Sequence, residues 1–124
     1  MRLLLDTHVL IWWIAHQPLS EEAGEAIADE TTEVLVSAAS IWEAEIKAAS
    51  GKLKMRADLV DQARLNDFTE LAVTFQHATA AARLPRHHGD PFDRMLIAQA
   101  QLEGFTVVTR DPAFRDYNVP LLAA

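Results

Sequence analysis

Short apolar runs with strand character and longer stretches with helical spacing take turns along this chain, and that alternation restricts its fold more than any other feature. Arg2-Leu3-Leu4-Leu5 ends at Asp6, and Thr7 to Ala15 then reads as a helix that Pro18 stops. Ser20 followed by Glu21-Glu22 marks the start of a helix through about Ala28, and Glu33-Val34-Leu35-Val36 is a second strand ending at Ser37. A helix follows from near Ser40, carrying Ile41, Trp42, Ala44, Glu45, Ile46 and Lys47 until Gly51 ends it. Asp58 to Phe68 is helical in pattern, Leu71-Ala72-Val73 reads as a short strand, and His77 to Arg83 is an Ala-rich helix closed by Pro85. Pro91 to Glu103 has proline in its first turn and Gly104 just past its end, which is how helices are commonly punctuated. Phe105 to Thr109 is a strand, and a turn from Asp111 leads to a last short run, Val119-Pro120-Leu121-Leu122.

Such alternation predicts an α/β fold, a central, mostly parallel sheet flanked by helices on both faces, with right-handed crossovers fixing most of the topology. The 124 residues, half of them hydrophobic, suit one domain over 1–124 without repeats or an internal linker. The run Val9 to Ala15 falls well short of the roughly 20 apolar residues of a membrane span. Asp6 interrupts the hydrophobic start, and the basic flank and cleavage site of a signal peptide are missing. A cytoplasmic protein with no membrane association is expected. Without cysteine, any metal must be held by oxygen or imidazole, which puts hard cations first. The net charge of −7 argues against a surface that grips nucleic acid throughout, but it fits carboxylates gathered in one place and offset by a divalent ion.

The acids sit where open parallel sheets bind ligands, outside the carboxyl ends of the strands. Asp6 follows the first strand, Glu43 lies one turn into the helix after the second, and Asp111 stands two residues beyond Thr109. Asp90 and Asp93 open the helix that begins at Pro91. Each has a local explanation: Asp6, Asp90 and Asp111 can cap helices, and Ser40-x-x-Glu43 matches a capping box. Helix dipoles favour negative charge at all these places. Capping alone does not explain acids at the same end of nearly every strand, where they would repel with no run of Lys or Arg beside them. Divalent metal binding does. Mg²⁺ prefers oxygen ligands, and paired ions suit phosphodiester cleavage by an activated water.

Asp6-Thr7 after an apolar N-terminal strand, Ser37-x-x-Ser40-x-Trp42-Glu43-x-x-Ile46-Lys47, Asp93-x-x-Leu96-Ile97-Ala98-x-Ala100 and Thr109-x-Asp111 together resemble the PIN-domain nucleases. Within them the chain is most similar to the VapC-type toxins of bacterial toxin–antitoxin pairs, over nearly its whole length. The resemblance implies a Mg²⁺- or Mn²⁺-dependent endoribonuclease, commonly acting on a structured RNA such as tRNA and held inactive by a cognate VapB-type antitoxin. It carries the catalytic and metal-binding quartet onto Asp6, Glu43, Asp93 and Asp111, with Thr109 in support. Alignment on Ala98 and Ala100 selects Asp93, which leaves Asp90 as a helix cap, a supporting carboxylate or an additional ligand. A catalytically silent PIN-like module binding RNA or protein is the alternative, and retention of all four acids argues against it. An aspartyl phosphatase would need a second Asp where His8 stands, and a receiver domain would need a lysine where the chain has Thr109-Arg110-Asp111.

Basic residues flank both acidic motifs: Lys47, Lys52, Lys54 and Arg56 after the first, and Arg83, Arg86, His87, His88 and Arg94 around the second. Lys47 and Arg94 adjoin proposed ligands and are the candidates for contacting RNA phosphates. His87-His88 would suit a transition metal, but a His pair before a loop glycine reads as surface and the acidic cluster is rich in oxygen. Trp12 and Trp13 lie about 100° apart on a helix, so either one ring is exposed at a protein interface or the helix is buried on both sides. In the resembling family such an interface would be an antitoxin groove or a homodimer face, and a homodimer is expected.

Overall fold

The computed structural model describes residues 1–55 and 57–124; Arg56, grouped above with the basic residues after Glu43, lies outside the described residues. The strands are β1 (Arg2–Leu5), β2 (Glu33–Ser37), β3 (Thr69–Leu71), β4 (Thr106–Thr109) and β5 (Leu121–Ala123). The helices are α1 (Thr7–Ile14), α2 (Glu21–Ala28), α3 (Ala38–Ala49), α4 (Leu59–Leu65), α5 (Phe75–Arg83) and α6 (Pro91–Glu103), and a 3-10 helix spans Pro112–Asp116. All strand pairs are parallel and the order is β3-β2-β1-β4-β5. The chain therefore winds outward from β1 to β3, then crosses back to place β4 on the other side of β1. That reversal makes the β1/β4 boundary the switch point, where strand ends leave a crevice.

Alternation along each strand divides the interior in two. Leu3, Leu5, Val34, Val36 and Val108 face α1 and α2, where Val9, Leu10, Ala23 and Ile27 complete one core. Leu4, Leu35 and Val107 face the other way onto Leu96, Ile97, Ala100 and Phe105, with Phe114 and Tyr117 from the 3-10 segment. β1 is central, and Leu3, Leu4 and Leu5 are fully buried, as expected of a parallel strand covered on both faces. No helix among the described residues is long and apolar enough to cross a membrane.

Several boundaries differ from the sequence reading, each for a local reason. The helix expected from Ser40 begins at Ala38, because Ser37, the last residue of β2, is itself the cap and accepts from the Ala39 N–H at 3.1 Å. Ser40 and Glu43 therefore form no capping box: Ser40 lies inside the helix with its hydroxyl buried and unpartnered. α5 begins at Phe75 rather than His77. Thr74 caps it and His77 Nδ1 reaches back to the Thr74 N–H, so an imidazole serves where Glu or Gln is usual. β3 covers Thr69–Leu71 instead of Leu71-Ala72-Val73. Neither Trp12 nor Trp13 is the exposed tryptophan. Both pack partly against the first core, Trp12 beneath the Arg110 guanidinium at 4.2 Å and Trp13 with its indole N–H on Asn66 at 3.0 Å. The exposed ring is Trp42, edge-on to Phe92 at 5.2 Å.

The relocated cap is testable by urea unfolding. Ser37→Ala removes an N-cap and is expected to cost about 1 kcal/mol. Ser40→Ala removes only an unpartnered buried hydroxyl and is expected to leave the midpoint unchanged or raise it. Equal losses at the two positions would contradict a helix start at Ala38.

Candidate active site at the strand ends

The switch point is bridged by one short hydrogen bond. Asp6 extends β1 by donating its N–H to the Val108 carbonyl at 3.0 Å, which brings its side chain beside the end of β4. There the Thr109 hydroxyl donates to Asp6 Oδ2 at 2.7 Å, while Asp6 Oδ1 accepts from the His8 N–H at 2.7 Å and so caps α1. Burial of this 4 % exposed carboxyl would raise its pKa. The hydrogen bonds from His8 and Thr109 outweigh that, and the pKa falls below its ordinary value. Asp6 is thus held as a carboxylate inside the protein. His8, largely exposed beside it, is raised by its interaction with Asp6.

Glu43 arrives on the second turn of α3 and is also 4 % exposed. Lys47, one turn on, donates to Oε2 at 2.8 Å, while Oε1 is buried with no hydrogen-bond partner among the described residues. An orphaned carboxylate oxygen is costly unless something positive meets it. Asp93 comes from the first turn of α6. Its N–H is capped by Asp90 Oδ1 at 3.0 Å, so the Asp90 side chain serves the helix, with Pro91 at the first helical position. Asp93 Oδ2 lies 2.8 Å from His88 Nε2. Burial, together with the charges of Asp90, Asp6 and Glu43, pushes Asp93 up to about 6 despite the His88 contact. Asp6 and Glu43 are thus both close enough for their charges to act on Asp93. Asp111 is exposed and caps the 3-10 helix through the Ala113 N–H at 2.9 Å, with its own N–H on Thr109 Oγ1 at 3.1 Å. Ligand atoms of Asp111, Asp93 and His88 all lie within 4.8 Å of one another.

Two expectations change here. Arg94, a candidate phosphate contact, has its terminal nitrogens occupied. Nη2 donates to the Ala81 and Leu84 carbonyls at 2.9 Å each, and Nη1 to Pro85 at 3.0 Å and His88 at 3.2 Å. The guanidinium ties down the α5–α6 connection, and no RNA-binding role is retained for it. His88, read as surface, faces the acids instead, raised by its contact with Asp93. Spacing alone could not show this, because the loop that carries His88 is folded back by tertiary bonds. A divalent ion fits the donor set: buried carboxylates, an orphaned Glu43 oxygen, and Lys47 as the only ammonium on that cluster among the described residues.

This α/β fold with acids across its switch point belongs to the PIN domain family, whose model matches residues 3–120. Within that family the chain is 32 % identical over 121 residues to Ribonuclease VapC22 of Mycobacterium tuberculosis, covering 94 % of this chain and 92 % of that protein. Among solved structures, VapBC2 from Rickettsia felis bound to a promoter DNA fragment superposes with a TM-score of 0.75 at 17 % identity, covering 100 % of this chain and 99 % of that one. VapBC-5 from Mycobacterium tuberculosis gives 0.62 at 20 % identity, with 98 % and 96 % coverage.

The Asp93 carboxyl makes stability of the metal-free protein fall as pH rises. Below the unfolded value near 3.8 both states hold the proton, and between 3.8 and about 6 only the folded state keeps it. Above about 6 the full cost of the buried charge is present. Asp93→Asn is therefore expected to raise Tm in EDTA at pH 8, with the gain shrinking as pH drops towards 4. A gain independent of pH in thermal-shift assays would contradict the repulsion.

Proposed function

We propose that this chain is a divalent-metal-dependent endoribonuclease, the toxin of a VapBC-type pair, inhibited by a VapB-type antitoxin. The observation that carries this reading is the acidic set spanning the β1/β4 switch point, with Asp6 and Glu43 buried and Glu43 Oε1 left bare, in a chain one-third identical to a ribonuclease along nearly its full length. Asp6, Glu43, Asp93 and Asp111 are the proposed catalytic and metal-binding residues, and Thr109 supports Asp6. The ion is Mg²⁺ or Mn²⁺, which when bound supplies an activated water and neutralises charge on the phosphate.

The chain's own groups prepare the site in separable ways. Thr109 and the His8 N–H fix both oxygens of Asp6, and with the His8 side chain they keep it ionised. Lys47 holds one oxygen of Glu43 and frees the other, and its half-buried ammonium remains the proposed phosphate contact. Asp90 caps α6 so that Asp93 is delivered from a rigid first turn. Among the described residues of the site no hydroxyl is set up as a nucleophile: Thr109 donates to Asp6, and the Thr7 and Ser40 hydroxyls are buried. Hydrolysis therefore proceeds without a covalent enzyme intermediate. The substrate class is a structured RNA such as tRNA, the protein works in the cytoplasm, and the active species is a homodimer. VapBC complexes among the solved relatives support the antitoxin.

The test is cleavage of a total small-RNA pool with Mg²⁺, Mn²⁺ or EDTA. Discrete, EDTA-sensitive cuts are expected. Asp6→Asn should reduce them by more than the roughly 10–100-fold range of residues that merely orient a ligand. Undiminished metal-dependent cleavage by Asp6→Asn would sink the assignment. Tight metal binding with no cleavage of any RNA would instead mark a binding module.

A further inference from the structure

We propose that His88 is a ligand to the cation at Asp93 and Asp111, so that this chain's centre is a mixed nitrogen and oxygen site that selects a first-row transition dication over Mg²⁺. The inference rests on the metal-centre reading above and adds a residue that the acidic quartet does not contain.

Three observations carry it. First, His88 Nε2 and Asp93 Oδ2 are 2.8 Å apart, and both lie within 4.8 Å of an Asp111 oxygen. Two neighbouring ligand atoms each about 2.1 Å from an octahedral ion stand roughly 3 Å apart, so the spacing already suits a shared ion, which binds as the proton between Nε2 and Oδ2 is released to solvent. Asp93 comes from the start of α6 and Asp111 from the turn after β4, so His88 lies close to acids of two separate elements.

Second, the backbone of His88 is fixed on both sides. Its N–H donates to the Tyr117 hydroxyl at 2.9 Å, and its carbonyl accepts from Arg94 Nη1 at 3.2 Å. The Tyr117 hydroxyl in turn donates to the Pro85 carbonyl at 2.7 Å, and Arg94 holds the Ala81 and Leu84 carbonyls. The connection from α5 to α6 is thereby stapled from two elements, and the ring projects to the acids at little further entropic cost. Such support is what a precise ligand needs and a solvated surface histidine does not.

Third, Glu43, whose charge acts on Asp93, is 4 % exposed and keeps Oε1 without a hydrogen-bond partner among the described residues, so the crevice holds a further acceptor that protein donors leave unmet. Carboxylates alone suit Mg²⁺, whereas an imidazole shifts preference towards transition ions. Arg94 and Tyr117 are positioning residues in this account.

The experiment is Mn²⁺ electron spin echo spectroscopy on the purified full chain, read beside Mn²⁺ and Mg²⁺ affinities from calorimetry. The wild type is expected to show ¹⁴N modulation from directly bound imidazole. His88→Gln should lose it and weaken Mn²⁺ at least about 10-fold while changing Mg²⁺ far less. His8→Gln, altering the other imidazole near the acids, should keep it. Bound Mn²⁺ without ¹⁴N modulation in the wild type, or modulation surviving in His88→Gln, overturns the role of His88 and leaves the carboxylate centre standing. No Mn²⁺ binding at all overturns both.

Discussion

The hydrogen bond from Thr109 to Asp6 is the interaction on which the rest of this site depends. It joins the ends of β4 and β1 across the one place where the sheet reverses its winding, and it acts on a carboxylate that is 4 % exposed. Without donors, burial would drive Asp6 towards its neutral form; with the His8 side chain and N–H and the Thr109 hydroxyl in place, the charged form is preferred. The topology thus creates the crevice, and His8 and Thr109 together keep its central acid ionised. Thr109 also accepts from the Asp111 N–H, so the same hydroxyl sets the position of a second acid.

Holding further carboxylates beside Asp6 has an electrostatic cost that the protein distributes unevenly. Glu43 is relieved by Lys47 on its own helix, whereas Asp93 has His88 but also three negative neighbours and rises to about 6. The site without a cation is therefore under tension at Asp93 in particular. A cation bound there would relieve that tension and so couple ion binding to folding stability through this residue.

Much of this was legible in the primary structure, because strand ends are written in short-range signals. Asp6 after Leu5, Thr109 at the close of β4 and the proline-started helix at Pro91 needed only local patterns. The misplacements share another cause. Ser37 is both the last residue of a strand and the cap of the next helix, so no loop separates β2 from α3 and the apparent capping box at Ser40 misled. β3 pairs only with β2 at the sheet edge and keeps Thr69 and Glu70 exposed, so apolar character marked the wrong residues. Arg94 and His88 could not be assigned from spacing, since their roles come from carbonyls and acids brought near by the fold.

The local and the functional readings of the acids turn out not to compete, because a carboxylate has two oxygens. Asp6 caps α1 with Oδ1 and receives Thr109 on Oδ2, Asp111 caps the 3-10 helix with Oδ1, and Glu43 gives Oε2 to Lys47 while Oε1 stays bare. Capping with one oxygen aims the other, because the cap fixes the side-chain rotamer at a helix N-terminus already favourable to negative charge. Asp90 and Asp93 divide the same work between two residues. Asp90 spends Oδ1 on the Asp93 N–H, and Asp93, free of any capping duty, turns Oδ2 towards His88 and the other acids. The paired carboxylates at the start of α6 are thus one device: the first orders the turn that the second needs in order to stand, charged and crowded, at the ends of the strands.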